Sequence, residues 1–309
     1  MQQRAAEMAA ARERRAGDIA ALVAHPGMPA ALRMFCQGMV DLFEDSRLLN
    51  LVVSDRGRVA MSLMAVYLDA GFDPRNPLSG LTVNRYKAQC AAAGLCSPGR
   101  AAAMLGLMRF AGHLQPAART QRGQPLRLIP TEKMLGSLRE RWGRIFGALA
   151  QIRPEGEIGL ARLDDPAFAR VFVRELVDLF LARERPVAHG PDIELFVERK
   201  AGPVLLMSLM LAAAPDDDMP PRGPMAVPVA ALARRFAVSR AQVKDIIDSA
   251  IAADLLTPAG ADRAAYVMTP RLRNGLLGFM AALFVLVADG IAEADLALRG
   301  EPQPIEGAA

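Results

Sequence analysis

The sequence predicts a mainly α fold with small β-hairpins, in which one unit occurs twice along the chain. Three observations predict it. Short motifs recur in the same order about 140 residues apart. Two segments carry the spacing of a helix, a tight turn and a second helix, each followed by a turn-rich stretch suited to a hairpin. The composition is 52% hydrophobic with only 12 Phe, 3 Tyr and 1 Trp, so the cores must come from Leu, Val, Ala and 16 Met, side chains that favour helices.

The repeat is specific in its order. Val40-Asp41-Leu42-Phe43 returns as Val177-Asp178-Leu179-Phe180, a separation of 137. Met61-Ser62-Leu63-Met64 returns as Met207-Ser208-Leu209-Met210, a separation of 146. The segment 97–117 aligns without gaps on 239–259, and Pro130 echoes Pro270, separations of 142 and 140. Chance matches do not keep a common order, whereas two copies of one fold with small loop insertions do.

In chain order, residues 1–30 read as a helical arm, Ala/Arg/Glu-rich at its start and without the apolar core of a secretion signal. The first unit, 31–153, has helices expected at 31–53, 58–70, 85–93 and 98–112, a hairpin over 114–130 centred on Gly123, and a closing helix at 132–152. Arg153-Pro154-Glu155-Gly156 ends the first closing helix, and residues 154–168 read as a linker. The second unit, 169–299, repeats the plan at 169–183, 203–214, 229–236 and 240–254, with a hairpin at 256–270 and a closing helix at 272–289. Its insert 215–224 is too rich in Pro and Gly for anything but a surface loop, and 300–309 reads as a flexible tail. The most apolar run, 276–288, is about 13 residues, short of the roughly 20 that a bilayer span requires, and reads as a buried helix.

Charge distinguishes the two halves. Residues 1–153 carry 21 Lys/Arg against 11 Asp/Glu, a net +10, and residues 154–309 carry 16 against 22, a net −6. Between Asp73 and Glu132 there is no acidic residue, while Arg75, Arg85, Lys87, Arg100, Arg109, Arg119, Arg122 and Arg127 supply eight cations. Such asymmetry points to a polyanion as the partner of the first half.

The second unit holds the clearer turn motif. Ala233 is small enough for two helices to cross, Val238 plugs the turn, Ser239 is placed to cap the next helix, and Val243, Ile246, Ile247 and Ala250 recur at core-facing spacing. The first unit follows more loosely over 86–108, with Ala91, Cys96, Ser97, Met104, Leu105 and Met108 at the matching positions and Pro98 at the first helical position. With these residues in place, the chain resembles tandem winged helix-turn-helix proteins, and in particular the MarR-type transcriptional regulators, over most of 31–290. The resemblance implies two tandem winged helix-turn-helix domains joined by long helices, a basic one at 31–153 and an acidic one at 169–299. It implies double-stranded DNA as the partner, a reading helix in the major groove, a wing on the backbone, and dimerising flanking helices. A small-molecule effector between the modules would be the natural control point, and no residue names it.

Carried onto this sequence, the DNA-binding candidates are Arg85, Lys87, Arg100, Arg109, Arg119, Arg122 and Arg127 in the first module. In the second they are Arg234, Arg235, Arg240, Lys244 and Arg263. The first reading helix is faced with Ala102, Ala103, Gly106 and Leu107, so phosphate contact should outweigh base readout. In the second, Gln242, Asp245 and Asp248 share an exposed face, and carboxylates there repel phosphates; the first module is expected to be the main DNA contact.

Other chemistries find little footing. His25, His113 and His189 lie far apart with no metal-ligand spacing, no Gly-rich phosphate loop or nucleophile elbow occurs, and neither a cofactor nor an enzymatic activity is expected. Cys36, Cys90 and Cys96 form no disulfide framework, which points to a cytoplasmic, nucleoid-associated protein; Cys90 and Cys96 read as core residues before they read as a redox pair. The apolar closing helix, with Phe279, Leu283, Phe284 and Leu286, is either buried between the modules or a homodimer seam. Two other functions share the architecture: a chromosome-organising subunit that uses winged domains as a protein scaffold, and a plasmid-type replication initiator.

Overall fold

The computed structural model describes residues 2–45, 55–76, 79–118, 126–182, 185–260 and 264–300. The chain is mainly helical with two small antiparallel sheets. Helices α1 (Gln2–Val23) and α2 (Met28–Asp45) open it, followed by α3 (Arg56–Ala70), α4 (Val83–Ala92) and α5 (Pro98–Phe110). Strands β1 (Leu114–Pro116) and β2 (Leu128–Pro130) precede the closing helix α6 (Glu132–Leu149). The second half runs through α7 (Glu155–Ala161), α8 (Pro166–Ala182), two 3₁₀ turns (Pro186–His189, Pro191–Ile193), α9 (Glu194–Val197) and α10 (Gly202–Leu211). Then come β3 (Met225–Ala226), α11 (Val229–Arg235), α12 (Arg240–Ala252), β4 (Leu256–Pro258), β5 (Ala265–Met268) and α13 (Pro270–Gly300).

Helix starts follow the capping chemistry of the sequence. Asp55, Thr82, Ser97, Thr131 and Ser239 each accept a hydrogen bond from the backbone N–H three residues on, satisfying a donor that the first turn leaves free. Thr269 does the same for α13 through Leu272 N–H at 3.4 Å. Thr131 and Thr269 also match in backbone pairing: Thr131 N–H donates to His113 O and Thr269 N–H to Leu255 O. The closing helices therefore superpose at a separation of 138, and not at the 140 that the Pro130/Pro270 echo suggests.

Each hairpin is held to the helix before its turn motif by a further strand contact. β1 pairs with β2 from Leu114↔Pro130 to Pro116↔Leu128, and β4 with β5 from Leu256↔Met268 to Pro258↔Tyr266. β3 adds to β5 in the second sheet, and in the first a single bridge joins Thr82 to Arg127. This third strand was not legible, because Met225–Ala226 directly follows a Pro-rich loop. The loop itself is as expected: Asp217 accepts from the backbone N–H groups of Asp218, Arg222 and Gly223.

Two expectations change. The stretch 154–168 is not simply a linker: α7 occupies its middle and packs on α6 and α13, with Gly159 against Phe146 and Ile291. Helix α13 does not end near residue 289 but continues to Gly300, its second half fastened by Asp295, which accepts from Arg162 at 3.1 Å and pairs with Arg299 at 2.6 Å. At 31 residues α13 is long and apolar enough by composition to cross a membrane, so the length argument from residues 276–288 does not hold; 61% of its most apolar stretch is buried in the protein. The part of the predicted helix 31–53 beyond residue 45, the hairpin residues 119–125, residues 261–263 and the tail from 301 lie outside the described residues.

The two halves are interlocked by exchange. Helix α2 packs on α6 of its own half and on α10 of the other, while α8 packs on α13 of its own half and on α3 of the other. The leading helices cross over as well, α1 onto α13 and α7 onto α6. Aromatic contacts repeat with the helices: Phe35 meets Phe284 edge-on at 5.9 Å, and Phe172 meets Phe146 edge-on at 5.3 Å. The chain thus has an internal approximate twofold relation, with its core running across the boundary between the halves. Phe284 and Leu286 are buried in that core, and Phe279 and Leu283 pack against it.

Candidate functional site

The two helix-turn-helix pairs close in the same way. In the first, Gly94 takes a left-handed conformation at φ 64° and Leu95 N–H donates back to Cys90 O; in the second, Ala237 takes φ 50° and Val238 N–H donates back to Ala233 O. Leu95 is therefore the counterpart of Val238, and Cys96 is an extra residue in the first turn rather than its match. After the second helix of each pair, Gly112 (φ 74°) and Asp254 (φ 55°) make equivalent left-handed exits. Only glycine adopts this conformation without steric cost, so the first unit carries the relaxed version of both turns.

The cations of the first unit fall into three groups. Arg100 and Arg109 are exposed and make no ion pair among the described residues. At 100° per residue they flank a smooth stripe of Gly99, Ala103, Gly106 and Phe110 along α5, with Phe110 84% exposed. Arg85 and Lys87 are half-buried on α4, Arg85 lying 3.5 Å from Gly80 O. Arg127 is turned inward. It pairs with Asp69 of α3 at 3.2 Å and stacks on the Phe72 ring at 3.8 Å, fastening the hairpin to the helix beneath it. It is removed from the phosphate-contact set, because its guanidinium is already spent inside the protein. Arg119 and Arg122 lie outside the described residues.

In the second unit Arg234, Arg240 and Lys244 are exposed without an ion pair among the described residues. Arg235 is also exposed but ion-paired: it meets Glu44 at the end of α2, beside an edge-on contact of Phe43 with Phe236 at 5.7 Å. Nor is the polar face of α12 as open as its spacing predicts. Gln242 Nε2 donates to Lys200 O at 2.7 Å, and Arg199 donates to Asp245 at 2.7 Å and to Ser249 Oγ at 3.1 Å. The segment after α9 thus covers part of the candidate reading helix. Arg263 lies outside the described residues.

The cysteines are packing residues. Cys36 and Cys90 are buried, and burial pushes the Cys90 thiol up to about 12, far from a reactive thiolate. Cys96 Sγ sits 3.4 Å from Met61 Sδ.

Between the halves lies a cavity of about 300 Å³. Its wall is apolar, with Phe35, Trp142, Phe180 and Phe279 among its rings. It reaches the first turn motif through Leu95 and through Arg185, whose Nη2 donates to Ala93 O at the end of α4 at 2.9 Å. It reaches the second through Val197 of α9, two residues before the Arg199 that holds α12. Sequence reasoning passed over the lining residues of α6. The signal was present: Leu138, Arg141, Trp142 and Ile145 form one helical stripe, and a cation on such a stripe is unusual in a core. No protein family matches the chain, and no curated protein or solved structure does either.

Proposed function

We propose that the chain is a DNA-binding transcriptional regulator in which two winged helix-turn-helix modules on one polypeptide take the place of a regulator dimer. One observation carries this reading: the helix, turn, helix and hairpin occur twice, in halves whose flanking helices exchange partners as two subunits would. The first module is the main DNA contact. Arg100 and Arg109 stand on either side of α5 with no ion pair among the described residues, and the small side chains between them leave room for close approach to a groove while offering few donors to base edges. The contact is to phosphate, and each neutralised phosphate adds about 0.9 to the salt slope. The second module contributes less, since Gln242 and Asp245 of α12 are engaged by residues 199–200.

Titration with mixed-sequence duplex DNA at several salt concentrations tests the reading. The expected result is affinity that falls linearly in log–log form with salt. Binding that is absent, or indifferent to salt, refutes it. The scaffold reading draws on the exposed Phe110 and its smooth stripe; it gains if Phe110→Ser abolishes a protein association while no salt-sensitive DNA binding is found.

A further inference from the structure

We infer that the cavity between the halves binds an apolar monocarboxylate, one per chain, with Arg141 as its counterion. The inference is independent of the DNA reading. Its foundation is a cation without an anion. Arg141 is part-buried on the cavity wall, and desolvation draws its pKa down to about 10. Its one hydrogen-bond partner is Met39 Sδ at 3.8 Å, a weak acceptor, and no carboxylate pairs with it among the described residues. A buried charge left so is costly unless something supplies the opposite charge.

Of the other charged side chains on the wall, two are ion-paired and one is held by a carbonyl oxygen. Asp55 caps α3 and pairs with Arg58 at 3.3 Å, Arg56 pairs with Glu198, and Arg185 donates to Ala93 O. Among the described residues Arg141 and Arg185 both lack a carboxylate, but Arg185 is hydrogen-bonded to a carbonyl oxygen of α4, which leaves Arg141 as the wall cation without an oxygen acceptor. The indole Nε1–H of Trp142, adjacent to Arg141 and on the same wall, is buried without an acceptor. A guanidinium with only a thioether acceptor and an indole N–H with none among the described residues, beside an otherwise apolar chamber, suit a carboxylate at the end of a hydrocarbon body. A benzene ring occupies an apolar cavity of about 150 Å³, so the 300 Å³ here suits a body of roughly twelve carbons.

The internal twofold sets the stoichiometry. At the separation of 138 given by Thr131 and Thr269, Arg141 corresponds to Phe279 and Ile145 to Leu283, and all four line the same cavity. A cation on one side faces a ring on the other, so a single anion fits, with its apolar end toward α13.

The experiment is calorimetric titration of the full chain with decanoate, 2-naphthoate and decanol. Decanoate or 2-naphthoate is expected to bind at one site per chain, and which of the two binds better decides between a flexible chain and fused rings. Decanol, and decanoate on Arg141→Met, are expected to bind at least 10-fold more weakly, the loss of a charge-assisted pair; Arg141→Lys retains part of the affinity. Folding of Arg141→Met is checked by its melting temperature, which should exceed that of the unliganded wild type because a part-buried cation with no carboxylate partner among the described residues is gone. Decanol binding as tightly as decanoate, decanoate affinity unchanged in Arg141→Met, two carboxylates per chain, or no binding by either carboxylate overturns the inference.

Discussion

Replacing His113 with leucine should stabilise the protein and flatten its response to acid. His113 follows the left-handed exit of α5, is 2% exposed, and its Nε2 has no partner among the described residues. Its counterpart is Leu255: both residues donate N–H to the carbonyl five positions back at 2.8 Å, and both accept from the threonine that caps the closing helix. The second unit thus already carries leucine in this backbone setting. An unsatisfied buried polar atom costs about 1–3 kcal/mol, and a gain of about 1–2 kcal/mol at pH 8 is expected for His113→Leu. Burial, with Lys133 nearby, holds the His113 pKa below its ordinary 6.5. The sign follows. The unfolded chain takes up a proton as pH falls through 6.5 while the folded one does not, so wild-type stability declines there. The slope approaches about 1.4 kcal/mol per pH unit until the folded pKa is reached. The gap between variant and wild type should widen by that slope below pH 6.5 and be constant above it. Urea unfolding of both proteins from pH 5 to pH 8 measures it. Parallel curves across the range would refute the assignment of His113 as an acid-sensitive buried group.

The left-handed turns give a paired test: Ala237→Gly should raise stability by about 0.5 kcal/mol and Gly94→Ala should lower it by about 1 kcal/mol, read by thermal unfolding. Arg127→Ala should cost about 1–2 kcal/mol in urea, through lost ion-pair and ring contacts, and leave the salt slope of DNA binding unchanged, because the side chain is turned inward. Arg100→Ala combined with Arg109→Ala should lower that slope by about 1.8 with little change in melting temperature. A slope lost in Arg127→Ala and kept in the double variant would reverse the assignment of these residues.

Much of the fold could be read from periodicity and capping. Ser239, and Ser97 at the matching position, mark helix starts because their side chains satisfy free backbone donors locally, and the hydrophobic spacing of Val243, Ile246 and Ile247 is a property of one helix. Where the reading failed, the cause was non-local. Arg127 reads as a surface cation but is turned inward onto Asp69, and Arg235, exposed as expected, pairs with Glu44; nothing near either residue in sequence indicates these partners. Cys96 was aligned with Val238 because the eye matches residue types, whereas the backbone hydrogen bond from Leu95 to Cys90 sets the true correspondence.

The sequence by itself determined that one unit is repeated, that each copy is mainly helical with a short hairpin, and that cations gather in the first. These follow from local propensity, spacing and composition, which act within a few turns of chain. Tertiary structure alone decided that the halves exchange their flanking helices, that Arg127 is turned inward while Arg235 pairs with Glu44, and that Arg141 stands on the cavity wall with no carboxylate pairing it among the described residues. Each of these depends on which distant surface a helix meets, since burial and pairing are set by the partner across the interface and not by the residue's own neighbours in the chain.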